Sequence, residues 1–119
     1  MADKLVHWEI VGPDADAMKE FYGELFGWDF ESPPGFGDYH MTAADQTGLG
    51  GAVGKGNEDM PSYVTLYIEV PDITARLEAI EAAGGKTVMP RTEVGDMVTF
   101  GMFIDPAGNV IGLVESAGE

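Results

Sequence analysis

Apolar and polar positions alternate over residues 5–11, the pattern of a β-strand. Beyond Pro13, the residues Ala17, Met18, Phe21, Tyr22 and Leu25 recur at helical spacing, with Asp14 placed to cap the helix and Gly27 suited to a left-handed stop. Residues 28–31 predict a second strand, and the Pro- and Gly-rich residues 32–37 a turn. Residues 39–44 and 51–54 predict two further strands around a turn at 45–50, and residues 57–61 a linker. The same grammar then restarts. Residues 63–70 predict a strand, Asp72 a cap, and Ile73, Leu77, Ile80 and Ala83 the apolar stripe of a helix that stops at Gly84 and Gly85. Strands are predicted at 86–89, 98–104 and 110–115, with a hairpin turn at Asp105 to Gly108.

The restart is a repeat. HWEIVGPD at 7–14 returns as TLYIEVPD at 65–72, 58 positions later. The offset carries through Gly27 and Gly85, Phe30 and Val88, and Gly37-Asp38 and Gly95-Asp96. After two inserted residues, Asp45 to Gly48 falls on Asp105 to Gly108. One repetition of so long a period predicts a pair of equivalent β-α-β-β-β modules, since a solenoid needs about three repeats or more. Module 1 covers about residues 1–57 and module 2 about 58–119, within a single domain.

Composition narrows the function. Hydrophobic residues form 45% of the chain, enough to argue against disorder. No apolar run approaches the roughly 20 residues of a membrane span. The first residues lack the basic start and apolar segment of a secretory signal, so a cytoplasmic location is expected. With no cysteine there is no disulfide, thiolate zinc site or cysteine nucleophile. Asp and Glu number 21 against six Lys and Arg, for a net charge of −15. Such a surface repels nucleic acid and anionic membranes. It keeps the chain soluble, and with only four lysines it also suits a salt-adapted, halophilic organism.

The duplicated frame, FYGELFGW at 21–28 and DPAGNVI at 105–111 together resemble the vicinal oxygen chelate superfamily: glyoxalase I, bleomycin-resistance proteins and extradiol dioxygenases. The resemblance covers nearly the whole chain. It implies an α+β fold of two tandem βαβββ modules, each a curled half-barrel sheet with its helix on the convex side and ligands in the concave cup. A homodimer is implied as well. Alternation along the strands then sends Val6, Trp8 and Ile10 toward the helix and His7 and Glu9 into the cup. On the equivalent strand Val64, Leu66, Ile68 and Val70 become the core face, and Tyr63, Thr65, Tyr67 and Glu69 face the other way.

Metal-dependent members that this chain resembles place one ligand on the first strand of each module and a carboxylate on the last strand of each. A divalent ion needs three or four convergent N or O donors. Here the first-strand positions hold His7 and Thr65, and the last-strand positions hold Ala52 and Gly112. One donor of four survives, so no metal is expected. A site made from His7 with Glu9, with Glu69, Glu115 or His40 contributing, is the alternative, and would take Zn, Ni, Mn or Fe. His7 with Glu9 otherwise reads as a hydrogen-bonded pair lining a pocket, His40 as a surface or strand-edge histidine, and Glu115 as solvated.

The expected ligand-binding residues are His7, Glu9, Tyr39, Tyr63, Thr65 and Tyr67, a mixture suited to a small, partly aromatic or cationic molecule. The same tyrosines would also serve simply to close the barrel. Three functions follow. The first is a metal-free small-molecule binder of the bleomycin-resistance kind. The second is a glyoxalase-like lyase or dioxygenase with a metal site rearranged around His7. The third is a metal-free enzyme in which His7 is a catalytic base oriented by Glu9. No phosphate loop or nucleotide fingerprint is present.

Overall fold

The structure is a computed structural model, and it describes residues 2–34, 37–95 and 98–115. Gly35 and Phe36 of the expected turn, and Asp96 of the repeat, lie outside the described residues. The elements are β1 (Lys4–Gly12), α1 (Ala15–Phe26), β2 (Tyr39–Thr42), α2 (Ala44–Thr47), β3 (Gly51–Lys55), β4 (Tyr63–Val70), α3 (Ile73–Ala82), β5 (Lys86–Val94), β6 (Val98–Ile104) and β7 (Val110–Glu115). This is the expected α+β class. Two compact units divide the chain: His7–Thr65, and Met1–Val6 with Leu66–Glu119.

The repeat is written into the backbone. The Asp14 carboxylate accepts from Ala17 N–H, and the Asp72 carboxylate accepts from Ala75 N–H. These are matching N-caps 58 positions apart. Gly37 and Gly95 both hold positive φ, as do Gly48 and Gly108. At the helix ends the correspondence slips by one residue: Gly27 is left-handed after α1, and Gly84 rather than Gly85 after α3.

In the unit His7–Thr65, β3 pairs antiparallel with β2 and parallel with β1. The strand expected at 28–31 contracts to one bridge, Glu31 with Met41. Its side chains explain why. Trp28 stacks on Tyr22 and Phe26 of α1 and lies against Phe30, and Asp29 N–H donates to the Gln46 side chain instead of a strand partner. The expected turn at 45–50 begins as the short helix α2, which ends where Gly48 N–H returns to Ala44 O at 2.7 Å. The predicted stripe of α1 is only partly covered: Met18 and Tyr22 are half-buried, while Ala17, Phe21 and Leu25 are exposed, and the buried position is Ala15, outside the stripe.

In the other unit, β4 pairs parallel with β7, which pairs antiparallel with β6, and β6 with β5. β5 continues to Val94 instead of stopping at 89, with register irregularities on both sides of Met89, next to Pro90. Proline has no N–H to give a ladder, and β5 is an edge strand that tolerates it. Val70, Ile73, Leu77 and Leu113 form a buried apolar cluster, with Ile68, Ile80 and Phe103 packed around it. α3 covers Val70 and Ile68, but the expected core positions Val64 and Leu66 are exposed, Val64 at 69%. On the opposite face Thr65 and Tyr67 are buried. The burial of Thr65 and Tyr67 against the exposure of Val64 and Leu66 follows the alternation of the strand.

Candidate functional site

β1 sorts its side chains as alternation requires. Trp8 turns toward the aromatic ladder of α1, its ring 5.4 Å from that of Trp28, and its N–H donates to Leu49 O at 2.5 Å. Gly51, opposite Trp8 in the ladder, has no Cβ, and the indole fills that space. His7 and Glu9 leave by the other face.

Glu9 is only 5% exposed. The Tyr39 hydroxyl donates to its Oε2 at 2.7 Å and the Tyr63 hydroxyl to its Oε1 at 3.2 Å. His7 Nε2 lies 2.9 Å from the same Tyr39 oxygen. With the Tyr39 proton committed to Glu9, Nε2–H of His7 is the donor in that bond. The His7 and Tyr39 rings also stack, their planes 21° apart. Burial holds the imidazole below its usual protonation range, so His7 is neutral at neutral pH. Burial, then the charge of Glu9 and its hydrogen bond, push the Tyr63 phenol above the ordinary tyrosine range.

Four of the expected residues therefore meet in one network: His7, Glu9, Tyr39 and Tyr63, all within the unit His7–Thr65. Thr65 is fully buried in the same unit, two residues beyond Tyr63. Tyr67 belongs to the other unit. It stands opposite Gly112 in the β4–β7 ladder, and its ring occupies the space that a Cβ at 112 would need.

That packing bears on the metal expected of relatives. A carboxylate at 112 would collide with Tyr67, and Ala52 is fully buried with no donor atom. Glu9 stands opposite Ala52 in the β1–β3 ladder, with both carboxylate oxygens accepting from tyrosine hydroxyls. Among the described residues no three His, Asp or Glu side chains converge to hold an ion. The residues present do not fit the donor set that the resemblance implies.

Two expectations need correction. His40 lies on the edge strand β2, as the strand-edge expectation has it, but not at the surface: it is 5% exposed, with Nδ1 2.6 Å from Ser32 Oγ and Nε2 2.8 Å from Asp16 Oδ1. Alternation along β2, which puts His40 on the buried face with Thr42, was the available signal. Glu115 is not free in solvent. Arg91 grips both of its oxygens, at 2.8 and 3.0 Å, and Ile73 N–H, at the first turn of α3, donates to Oε2 at 3.0 Å. The bond from Arg91, with help from Ile73 N–H, holds the Glu115 carboxyl below its usual range. Glu115 thus acts as a remote helix cap. Glu69 is half-buried on β4.

The comparisons agree with this architecture. A family model described as Glyoxalase/Bleomycin resistance protein/Dioxygenase superfamily matches residues 4–113. CFP32 of Mycobacterium tuberculosis, provisionally named a glyoxylase, is 31% identical over 106 residues, covering 84% of this chain and 41% of that protein. A glyoxylase-like domain-containing protein of Didymella fabae is 33% identical over 108 residues, covering 85% of this chain and 84% of that protein. The chain spans about two fifths of the length of the first of these relatives. Among solved structures, a methylmalonyl-CoA epimerase variant of Streptomyces coelicolor in complex with 2-nitronate-propionyl-CoA superposes with a TM-score of 0.66 at 19% identity, covering 99% of this chain and all of that one. At that identity the likeness shows the fold alone. The breadth of the family match and the relatives above 30% identity place the chain in the glyoxalase/bleomycin resistance protein/dioxygenase superfamily.

Proposed function

We propose that this chain binds a small cationic, partly aromatic molecule at the His7–Tyr39–Glu9–Tyr63 network, without the metal that many relatives use. One observation carries the reading: a nearly buried carboxylate, Glu9, held by two neutral hydroxyls. A carboxylate set among the aromatic rings of His7, Tyr39 and Tyr63 suits an organic cation. A net charge of −15 disfavours anionic ligands such as the CoA ester bound by the Streptomyces epimerase. The lost donors at Ala52 and Gly112 support a metal-free site.

Thermal-shift titration with benzamidine as cation and benzoate as matched anion tests this, in the presence of a chelator. Benzamidine should raise the melting temperature saturably and benzoate should not. Glu9→Gln should weaken benzamidine binding about tenfold or more, the loss of a charge-assisted contact. Equal response to both probes, or an unchanged Glu9→Gln, overturns the proposal.

A second reading is proton-transfer catalysis by the same network, favoured by the neutral, buried His7. Tyr39 then links base and carboxylate, so His7 is oriented by Glu9 through a hydroxyl. Turnover that survives chelation and fails in His7→Ala selects this reading. Pairing as a homodimer is a separate proposal, supported by the exposed Phe21, Leu25 and Phe26, and light scattering on the purified chain tests it.

A further inference from the structure

We infer that Ser32, His40 and Asp16 form a second, nucleophilic site that cleaves esters carrying a cationic group. His40 joins the other two, with Nδ1 2.6 Å from Ser32 Oγ and Nε2 2.8 Å from Asp16 Oδ1. A carboxylate only accepts, so the imidazole proton sits on Nε2. Nδ1 then presents its lone pair to the Ser32 hydroxyl, which donates. This is the protonation state in which a histidine activates a serine.

The fold builds this arrangement deliberately. Glu31 and Met41 exchange both backbone hydrogen bonds, at 2.8 and 2.7 Å, and that isolated bridge brings Ser32 beside His40. Pro33 follows Ser32 and restricts its backbone to extended conformations. Asp16 lies in the first turn of α1, where the helix terminus favours an anion. His40 is buried and held from both ends, whereas Ser32 is exposed.

Ser32 borders a cleft of about 620 Å³, whose walls include Asp29, Glu31, Asp45 and Gln46. That size suits a small organic molecule. The three carboxylates select against anionic substrates and favour a cationic one. They do not converge as ligands for an ion among the described residues. Gln46 Oε1 already accepts from Asp29 N–H at 3.1 Å, which leaves its amide N–H groups as donors for a substrate carbonyl. Thr42, on the same wall, carries a buried hydroxyl with no hydrogen-bond partner among the described residues.

The chemistry balances with water as the only co-reactant. Ser32 Oγ bonds to the ester carbonyl carbon as its proton passes to His40 Nδ1. The bond from that carbon to the alcohol oxygen then breaks, and the leaving oxygen takes the proton from His40. Water attacks the acyl-serine, again losing a proton to His40, which returns it to Ser32 Oγ as the carboxylic acid departs.

Stopped-flow release of 4-nitrophenolate from 4-nitrophenyl 4-(trimethylammonio)butanoate tests this, with neutral 4-nitrophenyl butyrate as control. A burst of one equivalent is expected, at least about tenfold faster for the cationic ester, with the acyl adduct mapped by mass spectrometry to the Ser32 peptide. Ser32→Ala, at an exposed position and checked for an unchanged circular-dichroism spectrum, should abolish burst and adduct. Asp16 acts through His40 as a positioning residue. Asp16→Asn should slow the burst about tenfold or more, and Asp16→Glu should restore it, a rescue that helix capping alone does not predict. A burst that persists in Ser32→Ala, an adduct on another residue, no adduct in the folded wild type, or equal rates for the two esters overturns the inference.

Discussion

The two units share a backbone grammar and differ in what they bury. Asp14 and Asp72 cap their helices alike, and Gly37 and Gly95, and Gly48 and Gly108, make the same left-handed turns. Yet the unit built on α3 closes around Val70, Ile73, Leu77 and Leu113, while the unit built on α1 buries Glu9, His40, Thr42 and Thr65 beside Val11, Ala15, Ala52 and Val53. The substitution is visible at matched positions. Glu9 stands opposite Ala52 where the repeat puts Tyr67 opposite Gly112. A buried carboxylate or imidazole costs desolvation that an aliphatic side chain does not. Among the described residues, the buried polar side chains thus all fall in the unit His7–Thr65.

The contrast should show first in stability. Leu113→Ala, in the apolar cluster, should cost about 2–5 kcal/mol in urea unfolding, transfer and cavity terms together. A cost below about 1 kcal/mol would mean that this cluster does not carry the fold. Tyr39→Phe, in the polar unit, removes a hydroxyl bonded to a carboxylate and should cost about 1.5–3 kcal/mol. Glu9→Gln should change stability less than Tyr39→Phe while weakening benzamidine binding about tenfold or more, the signature expected of a group kept for function. Salt acts on the whole surface. Raising potassium chloride from about 0.05 to 2 M should raise the melting temperature by screening a charge of −15. A melt indifferent to salt removes the proposal of salt adaptation.

The smallest effect expected is on pH dependence. Burial sets the folded His7 below the ordinary histidine value of 6.5. As pH falls through 6.5 the unfolded chain therefore takes up a proton before the folded one. Stability rises with pH across that window, is complete above 6.5, and is lost as pH drops toward the folded value. His7→Gln should flatten the melting-temperature decline between pH 7.5 and 5.5. An unchanged decline would assign it to other groups.

Much of this was legible in residues whose signals are local. The caps at Asp14 and Asp72, the strand at 63–70 and the hairpin turn at Asp105 to Gly108 depend on nearby atoms, so spacing alone located them. The grouping of His7 and Glu9 on one strand face followed from alternation. What escaped depends on tertiary partners. Residues 28–31 carry strand-like side chains, but Trp28 and Phe30 fold back onto an aromatic ladder that no periodicity announces. Val64 and Leu66 are apolar yet exposed, which alternation along the strand does not reveal. Glu115 looked like a polar tail, and only the approach of Arg91 and of the first turn of α3 gives it a structural task. His40 and Ser32 are eight residues apart with no motif between them, and a single backbone bridge makes them neighbours.

Metal content of the purified chain, measured by elemental analysis after dialysis against zinc, nickel, manganese and iron, most directly tests the claim that this cup works through organic side chains. The account predicts well under one equivalent of any of these metals, with benzamidine binding unchanged by chelation. One full equivalent, retained through gel filtration and lost in His7→Ala, would contradict it.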